Sequence, residues 1–211
     1  MNKFHYSQFF EDTGEFKELF DSTETPWQAL SNLELFIDNF EKVYEGKGYT
    51  KLRDGVFIGR DVEIDGTALI KDKAIIGHNS KIGHAAFVRG NVLIGENVNI
   101  GHGTEFKHSI TLSNTAIAHL NFVGDSILGS NINISGGTII ANTRLDKEEV
   151  KIKDGEVRIG VGTNKFGCLM GDGSFIGANS VTNPGTVLSK QTRVFPLVSV
   201  SGTHLKPSTI K

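Results

Sequence analysis

The stretch IIGHNSKIGHAAFVRGNVLIGENVNIGHGTEF, residues 75–106, carries a bulky apolar residue at every sixth position. Ile76, Ile82, Val88, Ile94, Ile100 and Phe106 mark these slots, and Gly77, Gly83, Gly95 and Gly101 follow four of them. Two residues before each slot the side chain is small or branched: Ala74, Ser80, Ala86, Val92 and Val98. Neither a helical period of about 3.6 nor a strand period of about 2 produces a strict six, whereas the hexapeptide repeat of a parallel β-helix does. Three hexapeptides close one triangular coil, so residues eighteen apart stack. The slot residue points into the prism, and glycine eases the corner by accepting unusual dihedrals. Each coil buries its core only against its neighbours, so many are needed.

Outward from this stretch the frame runs back through Ile70, Ile64 and Ile58 and forward to Leu112 and Ala118. It is then expected to slip within a few residues, just after His119, and to resume at Leu128, Ile134 and Ile140. From Asn142 to about Val157 the charged sequence NTRLDKEEVKIKDGEV has no such period; it reads as a loop at about 143–157 projecting from a corner, or as a solvated insertion. The frame returns at Met170, Ile176, Thr182 and Leu188. The tail from Ser189 shows no clear repeat and is expected to cover the open end.

Residues 1–50 follow another rule. Phe9, Phe10, Phe16, Leu19 and Phe20 form a rough helical stripe, and Trp27, Leu30, Leu33, Phe36, Ile37 and Phe40 a clearer one. Thr25 suits an N-cap, Pro26 the first helical position and Gly46 the C-terminal end. Two short amphipathic helices are expected, with the aromatic stripe serving as core and the segment capping the first coil. The fold class is therefore all-β, a parallel β-helix over residues 51–211 behind a short helical segment.

Composition narrows the function. With 22 basic and 24 acidic residues the net charge is −2, which gives no electrostatic case for nucleic acid or an anionic membrane. The apolar runs fall far short of the roughly 20 residues of a membrane span. The acidic, polar start MNKFHYSQFFEDTGEF does not read as a signal peptide. A lone cysteine, Cys168, makes no internal disulfide, and a cytoplasmic location is expected.

Histidine suits general-base work near neutral pH. His78, His84, His102 and His108 each lie two residues after a slot, at corners or on outer faces. His84 and His102 are eighteen apart and stack, but two corner histidines do not supply the three converging ligands of a catalytic zinc, so no metal is expected. His119 stands apart, followed by a block dense in glycine and asparagine. Arg89 and Lys107 are also eighteen apart; an Arg and a Lys stacked one coil apart form a small positive pocket suited to phosphate, unless they are unrelated surface charges.

The block AHLNFVGDSILGSNINISGGTIIAN, residues 118–142, resembles the acetyltransferase domain of the bifunctional glucosamine-1-phosphate acetyltransferase / N-acetylglucosamine-1-phosphate uridylyltransferases. The segments ANTRLDKEEVKI and NKFGCLMGDGSFIGANSVTNPGTVL are similar to the archaeal-type members. The resemblance covers roughly residues 56–190 and implies a left-handed helix, a homotrimer and an acetyl-CoA co-substrate. It implies acetyl transfer to the amine of glucosamine 1-phosphate or a related amino-sugar phosphate, feeding UDP-N-acetylglucosamine synthesis. His119 takes the position of the base, Glu105 that of a carboxylate near the amine, and Gly136 that of the backbone N–H facing the oxyanion. Arg89 and Lys107 would hold the sugar phosphate; Asn133 and Asn142 would contact the sugar. Ala178 and Lys165 match positions that contact the cofactor. Phe122 replaces the family's usual tyrosine and lacks its hydroxyl, which leaves room for another acceptor, such as a nucleotide-linked amino sugar, or for a β-helix that binds a sugar phosphate without turnover. The first 50 residues are too few for the family's nucleotidyltransferase domain, so uridylyl transfer is expected of another protein.

Overall fold

A computed structural model describes residues 3–43 and 46–211. Short strands stack into three sheets of nine, seven and eight strands, the three faces of a β-helix, all parallel save the antiparallel edge strand Thr50–Arg53. The chain visits them in turn: Ala74–Ile76 on the nine-stranded face, Lys81–Ile82 on the eight-stranded and Phe87–Val88 on the seven-stranded. The slot residues fill the prism, with Ile76, Ile94, Ile100 and Phe106 wholly buried in one apolar cluster. The small slot serves the corners. Ser80 Oγ accepts the Val98 N–H (2.9 Å) and Ser109 Oγ the Ser126 N–H (3.0 Å), so hydroxyls satisfy corner amides that no strand pairs.

The repeat slips earlier than expected, and twice. Ile94 pairs with Thr111 and Phe106 with Val123, seventeen residues apart, where Ile76 pairs with Ile94 at eighteen. Only five residues separate Phe106 from Thr111, and again Val123 from Leu128. Thr111 and Ile117 therefore occupy the slots expected for Leu112 and Ala118. Both shortened corners join the seven-stranded to the nine-stranded face, at Lys107–His108 and Gly124–Asp125. His108 (φ +42°) and Asp125 (φ +48°) turn these corners in the left-handed region, which Asp and His tolerate better than most residues.

The nine-stranded face is buried on both sides. Phe57, Ile75, Leu93, Ile110, Ile127, Leu169 and Val187 point outward and form a second core with Phe9, Phe20, Leu33, Ile37 and Phe40. Two helices carry that cover, α1 (Lys17–Asp21) and α2 (Gln28–Val43). The segment thus lies along the flank of the solenoid, not over its first coil. Lys73 fastens α2 through Glu34 (3.0 Å) and Asp38 (2.7 Å). Thr25 does not cap α2 with its side chain; Gln28 Oε1 instead accepts the N–H groups of Glu24 and Thr25. The helix end expected near Gly46 falls partly outside the described residues.

The aperiodic segment leaves the helix at Asn142, forms a hairpin of Lys151–Asp154 and Val157–Gly160, and returns at Cys168. It is not merely a solvated loop: Val150, Ile152 and Phe166 are buried in the outer core. The tail does not cover an open end but adds coils, with Arg193–Val194 and Ser199–Val200 pairing in parallel on the strands before them. Among the described residues, no helix is long and apolar enough to cross a membrane.

Candidate functional site

One corner, where the eight-stranded face turns into the seven-stranded face, collects the first group. His119 ends the strand Ala116–His119 and pairs with His102. It does not stand apart from the other histidines: it continues the column of His84 and His102, whose rings stack at 5.2 Å. His119 is exposed, and its carbonyl accepts the Gly137 N–H (3.0 Å). Gly136 lies directly above it; a Cβ on Gly136 would stand 3.4 Å from the His119 Cβ. Backbone bonds run from Ser135 N–H to Ile176 and from Gly137 N–H to His119, and among the described residues leave the Gly136 N–H out of the ladder. Ala178 stands one coil further on, where Asn179 N–H donates to the Gly136 carbonyl (3.0 Å). His119, Gly136 and Ala178 thus form one continuous edge.

The next corner collects the second group around a cavity of about 450 Å³ lined by Arg89, Lys107, His108, Asp125 and Lys165. Arg89 and Lys107 stack here as their spacing predicts: each follows a slot where other hexapeptides carry glycine. Lys165 arrives from the excursion and joins them, away from the Ala178 edge where a cofactor role was expected.

Asp125 is the hub that sequence reasoning missed. Its side chain is 4% exposed and accepts from Lys107 Nζ (2.7 Å), His108 Nδ1 (2.7 Å) and Asn142 Nδ2. Burial alone would raise its pKa, but the bonds from His108, Lys107 and Asn142 outweigh burial and hold the carboxyl below its ordinary value. Gly124 and Asp125 lie inside the block that carries the family resemblance, and the two five-residue steps that place His108 beside Asp125 are its signal in the sequence.

Between the corners runs one face. Glu105 and Phe122 pair as neighbours on its outer side. Glu105 is bound to Arg89 (2.7 Å), and Arg89 lies over the Phe87 ring (5.8 Å). Phe122 Cζ and Asn142 Nδ2 come within 2.8 and 2.7 Å of the point where a Cβ on Gly124 would stand, so ring and amide adjoin over that glycine. Phe122–Gly124 spans roughly 7 Å at strand rise, the scale of one hexose ring. Asn133 is not brought into this group: it stands on the eight-stranded face, between Ala116 and Phe175.

Two other chemistries are poorly served. Glu15, His78 and Glu96 bring donor atoms within 4.8 Å of one another. Yet His78 Nδ1 already accepts the Arg60 N–H (2.7 Å), so in the neutral ring the other nitrogen carries the proton and offers no lone pair. The Cys168 thiol is fully buried, and burial pushes its pKa up, which removes it as a nucleophile.

The stacked hexapeptide coils define the class, a parallel β-helix built of hexapeptide repeats. Within it, the chain belongs to the family described as the GMPPB C-terminal domain, whose model matches residues 70–210. A bifunctional sugar-1-phosphate nucleotidylyltransferase/acetyltransferase from Sulfurisphaera tokodaii is 35% identical over 168 residues, 80% of this chain and 41% of the relative. The bifunctional protein GlmU of Methanocaldococcus jannaschii is 42% identical over 82 residues, 39% of this chain and 20% of its own. The chain therefore spans less than half the length of these relatives. Among solved structures, a hexapeptide transferase family protein from Anaplasma phagocytophilum matches at 21% identity and a TM-score of 0.41, over 67% of this chain and 74% of that one.

Proposed function

We propose that this chain is an acetyl-CoA-dependent N-acetyltransferase acting on an amino-sugar phosphate, with glucosamine 1-phosphate as the acceptor and UDP-N-acetylglucosamine synthesis as its destination. One observation carries the reading: His119 beside Gly136 at one corner, and Arg89, Lys107 and Lys165 around a cavity at the next, joined by a face one sugar wide. The phosphate would lie among the three cations, and the sugar along Phe122 and Asn142. The amine, near Glu105, attacks the thioester carbonyl while His119 takes its proton. The Gly136 N–H receives the developing oxyanion, a contribution typically of about 3 kcal/mol. Collapse breaks the C–S bond, yields the amide, and releases coenzyme A as the thiol with the proton returned. The donor runs along the His119–Gly136–Ala178 edge. Assembly as a homotrimer in the cytoplasm belongs to the same reading.

Lys165 favours a second acceptor. A third cation beside Arg89 and Lys107 suits a second phosphate, hence a nucleotide-linked amino sugar. Thiol release from acetyl-CoA tests both, with glucosamine 1-phosphate and with a UDP-amino sugar, beside His119→Ala. Turnover that vanishes in the variant supports the reaction and its base. Absence of turnover with every amino sugar, while acetyl-CoA still binds, overturns the acceptor assignment.

A further inference from the structure

Two contacts tie the surroundings of the cavity at the shortened corners to the amino-terminal segment. His108 presents Nδ1 to Asp125 Oδ1 (2.7 Å) and Nε2 to the Leu30 carbonyl of α2 (3.2 Å), so each ring nitrogen faces an oxygen. Trp27, just ahead of α2, packs edge-on against Phe166 (6.4 Å), whose N–H donates to the Asn142 carbonyl (2.9 Å) and which follows Lys165 in the chain.

The carboxylate divides its acceptors between these partners. Oδ1 receives His108, and Oδ2 receives Lys107 and Asn142. With Oδ1 occupied, Lys107 engages one oxygen and keeps N–H groups for an anion in the cavity. With Oδ1 free, the ammonium can bridge both oxygens and turn inward, lost to the anion. We propose that His108, anchored on α2, is a positioning residue for this cavity: it fixes Asp125 and thereby holds Lys107 and Asn142 toward a bound sugar phosphate. The inference rests on the reading of the cavity as the acceptor's phosphate site. It gives the flanking helices a part in substrate affinity as well as in the outer core.

Two substitutions separate positioning from packing. Asparagine tolerates the left-handed φ of +42° and sets its amide near the place of Nδ1, so His108→Asn keeps a donor for Asp125. His108→Gln reaches toward the place of Nε2 and leaves Oδ1 without its donor. The probes are glucosamine 1-phosphate and inorganic phosphate, titrated calorimetrically into the full chain at low salt, with melting followed for each variant. For His108→Gln the dissociation constant and the acceptor KM are expected to rise about tenfold, the scale of one charge-assisted bond, with kcat and the acetyl-CoA KM unmoved. His108→Asn is expected to restore affinity to within about threefold of the parent. Equal affinity in parent and His108→Gln overturns the proposal, as does an equal loss in both variants, which signals packing. If the parent binds phosphate but turns over no amino sugar, the proposed reaction falls while the His108 comparison still decides. If the parent binds neither probe, both inferences fall.

Discussion

Lys107 and Asp125 are linked at 2.7 Å across one coil, and the carboxylate is the buried partner, 4% exposed against 19% for the lysine. The pair, with His108 and Asn142, sits where the repeat has lost a residue twice. The ionised carboxylate is favoured in the folded state, because its pKa lies below the ordinary value. The stability it contributes is complete above the unfolded carboxyl value of about 4 and lost as pH falls through the lower folded value. Asp125→Asn is expected to cost roughly 3 kcal/mol at pH 7. The gap from the parent should close below about pH 4, as read by urea unfolding at both pH values.

His119 is exposed and its backbone, not its ring, is what the coil uses. His119→Ala is expected to lower kcat by about 100-fold or more while the melting temperature stays within a degree or two. Restored turnover at high pH, where the free amine is abundant, would mark the lost group as a base.

Gly101 and Gly136 lie at the same corner of different coils, one and two residues after their slots, with opposite surroundings. A Cβ on Gly101 would fall 1.9 Å from the Ala118 carbonyl oxygen, whereas on Gly136 its nearest neighbour is the His119 Cβ at 3.4 Å. Gly101→Ala is expected to destabilise by about 3 kcal/mol, because backbone must move. Gly136→Ala should fold normally and lower kcat/KM for acetyl-CoA about tenfold by crowding the thioester. Thermal melts and steady-state kinetics on the two variants check the contrast.

Lys165→Ala is expected to raise the acceptor KM about tenfold and leave the acetyl-CoA KM unchanged. The reverse pattern would return Lys165 to the cofactor.

Asn121 fills the small slot beside His119, flanked along the column by Thr104 and Thr138. Its Oδ1 accepts the Thr138 N–H (2.9 Å), but its buried Nδ2 has no partner among the described residues. Threonine can make the same bond, as Thr115 Oγ1 does with Ile132 N–H (3.3 Å), without leaving a donor unpaired. Asn121→Thr is expected to stabilise the fold by about 1 kcal/mol, measured by denaturant titration.

The fold was legible because a six-residue period has one physical meaning, and Arg89 and Lys107 were placed together by that period alone. What escaped were departures of a single residue. Counting in sixes through Leu112 and Ala118 gave two acceptable apolar residues, so the true slots at Thr111 and Ile117 left no trace in hydrophobicity. The outer core was also readable, since Phe57, Ile75 and Leu93 recur every eighteen residues on top of the slots. Such continuous apolar strands mark a face buried on both sides. The role of Asp125 was not readable, because a buried carboxylate is decided by its donors, and these come from two other turns of chain, Lys107 and His108 from one and Asn142 from another.

The excursion has a further consequence. Its two ends meet, Phe166 N–H on the Asn142 carbonyl, and the coils on either side pair Ile127 with Leu169 and Leu128 with Met170 as if nothing intervened. The intervening residues are thus an insert between coils that pair directly, although Val150, Ile152 and Phe166 also fill the outer core. Exchanging that insert exchanges Lys165 and its neighbours, while the histidine edge stands at the neighbouring corner. A lineage built on this plan can change the cations of its cavity by trading one insert, with the His119–Gly136 edge left in place.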